Sequence, residues 1–144
     1  MPNVAKRYHR ETGTETVLAI FSELTREIRI SRLTFVELQS VFAMKVRSGF
    51  IRASEAEKLR ARLLVDIAAD EIEVCGVKPE HFAAAERLIR KHGFSHRLRT
   101  LDAIQLAVAL DLTDRGLADF FVFSDKALAE VATFEGLSVM NPES

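Results

Sequence analysis

Apolar positions change period several times along the chain, and those changes mark out its elements. Val17, Ile20, Phe21 and Leu24 recur at helical spacing and predict a first helix over roughly 15–27. The alternating run Ile28 to Ser31 predicts a short strand. A second helix is expected from Thr34 to Arg47, with Phe35, Leu38, Val41 and Phe42 on one face and Gly49 as its terminator. A third spans 54–69, with Leu59, Leu63 and Ile67 facing inward, Ser54 as N-cap and Glu57 as its capping-box partner. EIEVCGV then alternates as a strand. Pro79 opens a helix that Gly93 closes, and the basic loop GFSHRLR leads into the helix TLDAIQLAVALDL. The unbroken run Phe120 to Phe123 predicts a strand covered on both faces. DKALAEVATF is a short helix and LSVM a last strand. Strands alternating with helices over short loops predict an α/β fold with a mostly parallel sheet.

Length and composition narrow the class. At 144 residues the chain suits one domain, 1–144, with a single sizeable core. The formal net charge is −1, so attraction to nucleic acid must come from a local patch. Arg87, Arg90, Lys91, Arg97 and Arg99, in RLIRKHGFSHRLR, supply such a patch; a solvated helix end with cations suited to its dipole is the plainer reading. The single cysteine, Cys75, excludes an intrachain disulfide and fits a reducing, cytoplasmic setting. The opening residues carry no apolar signal core, and no run approaches a membrane span. His92 and His96 stand four apart, but Gly93 should break the helix between them, against a zinc pair.

Three acids fall where the predicted topology ends strands or begins helices. Glu37 follows the IRIS strand by a few residues, Asp102 lies in the first turn of an apolar helix, and Asp125 follows FFVF with only Ser124 between. Each has a local structural use. Thr34 and Glu37 fit a capping box, Asp102 suits a helix N-terminus after a Thr100 N-cap, and Asp125 can itself be an N-cap. In an open parallel sheet, however, the carboxyl ends of the strands share one edge, and ligands bind there. Acids gathered at such an edge repel one another and need a positive charge. Oxygen-only donors select Mg²⁺ or Mn²⁺ over zinc.

The ordered segments KRYHRETGTE, ISRLTFVELQSVFA, LRTLDAIQLAVAL, FVFSDKALAEVA and GLSVMNP resemble the PIN-domain ribonucleases, most closely the VapC-type toxins of type II toxin–antitoxin pairs. The resemblance implies a three-layer α/β/α fold and a homodimer. It also implies Mg²⁺- or Mn²⁺-dependent cleavage of RNA to a free 3′-hydroxyl and a 5′-phosphate, and a cognate antitoxin that covers the site. By position, Glu37, Asp102 and Asp125 match three of the family's four acids as metal ligands and catalytic groups. Ser124 matches the small hydroxyl residue before the last of them. The family begins with a strand ending in a D-x-S type motif; aligned on Lys6, that Asp falls just before Met1. The expectation is therefore a PIN-like domain without its N-terminal strand, its remaining strands exposed to aggregation. Its alternative function is that of an impaired or inactive PIN domain binding antitoxin or RNA.

Overall fold

A computed structural model describes residues 4–23 and 27–143. It is a mixed α/β structure, mostly helical, whose strands form two small parallel pairs. The chain divides into two compact units: one of residues 1–75 joined by 142–144, the other of residues 76–141.

The first unit contains α1 (Ala5–Tyr8), α2 (Thr14–Ser22), β1 (Arg29–Ser31), α3 (Arg32–Arg47), α4 (Ala53–Ala68) and β2 (Glu73–Cys75). β1 and β2 pair in parallel, with Ile30 opposite Val74 and Ser31 opposite Cys75. The predicted faces of the two long helices close the core. Leu38, Val41 and Phe42 of α3 and Leu59 and Leu63 of α4 are buried with Ile30, Ile51 and Ile72, while Phe35 and Ile67 pack against them partly exposed. Leu38, Leu63 and Ile72 have essentially no solvent contact. The helix expected over 15–27 is α2, which ends at Ser22, earlier than expected, and Leu24 lies outside the described residues.

Both predicted caps shift. Ser31, not Thr34, caps α3, and its Oγ accepts from the Thr34 N–H at 3.0 Å. Thr34 therefore stands inside the first turn and not at the N-cap, the position its expected capping box with Glu37 requires. α4 begins at Ala53, with Arg52 at the N-cap and its backbone N–H donating to Glu55 Oε2 at 3.2 Å. The predicted Ser54–Glu57 box is thus two residues late.

Two lysines are buried in this unit, each beside partly exposed acids. The Lys6 Nζ donates to Glu143 Oε1 at 2.7 Å, the Thr12 carbonyl at 2.8 Å and Glu11 Oε1 at 3.4 Å, using all three N–H groups. The Lys45 Nζ meets His9 Nδ1 at 2.8 Å and Glu11 Oε2 at 3.6 Å. Arg7 lies over the Phe21 ring, 4.1 Å from its centroid, and binds Asp66 at 3.0 Å and Glu71 at 2.7 Å. The Tyr8 hydroxyl donates to the same Asp66 oxygen. Burial and that hydrogen bond raise the Tyr8 pKa, so the phenol stays a donor. Partial burial works to raise the Asp66 pKa, but hydrogen bonds from Arg7 and Tyr8 outweigh it and hold it below the usual range. Gly13 adopts φ +87°, and a Cβ there would come within 2.9 Å of the Pro142 carbonyl oxygen. Only glycine meets both conditions.

The second unit contains α5 (Pro79–His92), α6 (Thr100–Asp114), β3 (Phe121–Val122), α7 (Lys126–Phe134) and β4 (Val139–Met140). α6 is apolar nearly all round. It buries Ala103, Ile104, Leu106, Ala107, Val108 and Leu112, and it packs lengthwise on α5. β3 and β4 pair in parallel, Phe121 opposite Val139. The FFVF run is not covered on both faces as predicted: Phe120 is 54% exposed, Phe121 and Val122 are half-buried, and only Phe123 is buried. A two-residue strand with one neighbour leaves the start of the run to solvent. No helix among the described residues is long and apolar enough to cross a membrane.

Candidate functional site

The helix TLDAIQLAVALDL begins one residue earlier than its Thr100 cap suggested. Arg99 is extended at the N-cap, and its carbonyl accepts from the Ala103 N–H at 2.9 Å. Asp102 consequently lies in the first turn of α6, where the unpaired N–H groups and the helix dipole favour a carboxylate. Asp125 is the N-cap of α7, and its Oδ1 accepts from the Leu128 N–H at 3.0 Å. The local capping use read for Asp125 is therefore real, but it occupies one oxygen. The other, Oδ2, lies 3.9 Å from Arg99 Nη2, while Arg99 Nε lies 3.3 Å from Asp102 Oδ2. One guanidinium thus stands between the acids of two helix N-termini. Side-chain exposure is 61% for Arg99, 28% for Asp102 and 45% for Asp125. Ser124, half-buried, immediately precedes Asp125.

Glu37 belongs to the first unit, half-buried in α3 one turn past the capped start of the helix. Asp102, Ser124 and Asp125 belong to the second. Arg99 appears in the sequence only as one member of the basic run. Its i,i+3 spacing to Asp102 was the signal that it pairs with the acid.

Among the described residues, no group of three or more His, Cys, Asp or Glu side chains stands in a metal-holding array. Asp102 and Asp125 nevertheless suit a hard divalent cation. Both are carboxylates, both already turn an oxygen toward a positive charge, and Mg²⁺ commonly takes one or two carboxylates and keeps several waters.

The remaining polar clusters of this unit have local uses. His92 Nε2 lies 2.7 Å from Glu135 Oε1 and His96 Nε2 3.3 Å from Glu130 Oε2, with both rings against Phe134. α5 ends at His92, as Gly93 predicted, so the two histidines serve separate carboxylates. Burial works to raise the Glu135 pKa, but hydrogen bonds from His92 and Lys91 outweigh it and lower it. His81 accepts from the Lys78 N–H at Nδ1, so its Nε2–H donates to Asp111 at 2.8 Å. That hydrogen bond leads the causes that hold Asp111 below its usual range. From the basic run, Arg87, Arg90 and Arg97 are exposed, and Lys91 holds Glu135 at 3.0 Å.

A model of the PIN domain matches residues 5–133. The chain belongs to the PIN domain family. PIN domains are a nuclease family, typically dependent on divalent metal ions. No curated protein matches this PIN domain.

Proposed function

We propose that this PIN domain is a metal-dependent endoribonuclease of the VapC type, the toxin of a type II toxin–antitoxin pair. The observation that carries the reading is the pair Asp102 and Asp125, whose Oδ2 atoms lie at 3.3 and 3.9 Å from the same guanidinium at the N-termini of α6 and α7. Asp102, Asp125 and Glu37 are the residues proposed to hold Mg²⁺ or Mn²⁺, with Ser124 as the hydroxyl residue proposed to act with Asp125. Such an ion supplies charge neutralisation at phosphate oxygens and acidifies a water to a nucleophile near neutral pH. The α7 cap fixes one oxygen of Asp125, so its carboxylate presents the other in a set direction. Exposed Arg87, Arg90 and Arg97 offer contacts to the RNA backbone, where phosphate neutralisation dominates affinity. A PIN-type three-layer arrangement, a homodimer, a cytoplasmic location and an antitoxin that covers the acids complete the reading.

The test is incubation of the purified protein with structured RNA and Mn²⁺, beside Asp102→Asn and Glu37→Gln. Cleavage to 5′-phosphate ends by the wild type, lost in both variants, is expected. RNA binding without cleavage by the wild type would replace this reading with that of an inactive PIN domain.

A further inference from the structure

We propose that Arg99 is a built-in occupant of the acid pair, one that the metal ion must displace; this rests on the reading of Asp102 and Asp125 as metal ligands. The geometry sets up the competition. Asp125 Oδ1 already accepts from the Leu128 N–H at 3.0 Å, so more of the unused lone-pair capacity lies on Oδ2, the oxygen facing Arg99 Nη2 at 3.9 Å. A cation that ligates Asp125 through Oδ2 enters the space of that guanidinium. The Asp102 oxygen nearest Arg99 is also Oδ2, at 3.3 Å from Nε. Arg99 thus serves the two acids through two different nitrogens, which its planar fork permits and a single ammonium does not.

The arrangement is built to open. Arg99 is the N-cap of α6 and its backbone is held by the helix, whereas its side chain is 61% exposed and can swing into solvent without unpacking the core. Exposed ion pairs are weak, so the occupant is displaceable. Without metal, Arg99 offsets the repulsion of two carboxylates. With metal, the ion takes over that role and the guanidinium leaves, which sets the metal affinity below what the bare acid pair would give.

The experiment is Mn²⁺ titration of the full chain, with free Mn²⁺ read from its electron paramagnetic resonance signal, so that no catalytic turnover enters. Arg99→Gln is expected to bind Mn²⁺ about 3- to 10-fold more tightly than wild type, as the loss of two weak exposed pairs allows. Arg99→Lys, which keeps the charge but not the fork, is expected to fall between them. Circular dichroism melts of each variant confirm that the fold is kept. Equal or weaker Mn²⁺ binding by Arg99→Gln, with binding still lost in Asp102→Asn, would overturn the role of Arg99 and leave the metal site standing. Mn²⁺ binding that Asp102→Asn does not alter, or no binding by any form, would overturn the site reading and this inference together.

Discussion

Charged side chains are used in two opposite ways in the two units. In the first, Lys6 and Lys45 are buried against the partly exposed Glu11, and the Lys6 ammonium meets an acceptor with each of its protons. In the second, Asp102 and Asp125 share one mostly exposed guanidinium at 3.3 and 3.9 Å. A buried charge with a complete set of partners is costly to disturb and holds a fold in one arrangement. A half-exposed carboxylate with a long, weak ion pair contributes little to stability and remains available to a ligand. The contrast separates charges that maintain the structure from charges that can act, and it does so on geometry alone.

Four measurements break or sharpen that contrast. The largest effect is expected of Asp102→Asn: RNA cleavage should fall by about a thousandfold, equivalent to roughly 4 kcal/mol of transition-state stabilisation. The thermal midpoint should barely move; a fall in stability instead would place Asp102 with the structural charges. Next is Lys6→Ala, expected to lower the urea unfolding free energy by about 2–3 kcal/mol, below the range for a fully buried pair because Glu11 and Glu143 retain some solvent. Cleavage per folded molecule should persist. A change under about 0.5 kcal/mol, the size of an ordinary surface substitution, would make that cluster no more structural than the acid pair.

A smaller effect concerns acid. Asp66, Asp111 and Glu135 all have lowered pKa values. Such carboxyls contribute stability that is fully present above the unfolded-state value near pH 4 and is lost as pH falls through the lower folded value. The urea midpoint should therefore drop between about pH 5 and pH 3, and less steeply in Glu135→Gln. Equal slopes in the two proteins would remove Glu135 from the stabilising set. The smallest effect is expected of Arg99→Gln without metal, which should change the unfolding free energy by no more than about 0.5 kcal/mol. A larger loss would make Arg99 a structural charge.

Much of the fold was legible because periodicity reports burial directly. Leu38, Val41 and Phe42, or Leu59 and Leu63, face the core as their spacing required. Helix starts were less legible because neighbouring residues compete for the cap. RASEAE offers Glu55 as well as Glu57 as the acid that accepts from a helix-start N–H, and the helix uses Glu55. The FFVF run misled because apolar content cannot say how many neighbours a strand will have. At the candidate site, Asp125 was legible both as a cap and as an acid turned outward, since its two oxygens serve different partners. The pairing of Lys6 with Glu143 had no local trace, for the partners are 137 positions apart.

That last distance matters while the protein is being made. Lys6 and Gly13 are synthesised before residues 76–141, yet Glu143 and the Pro142 carbonyl that pack on them are synthesised only after them. Until then the Lys6 ammonium lacks one of its two carboxylates, and the first unit stays open at that point. Folding of residues 1–75 is thus completed by residues that follow the whole of 76–141.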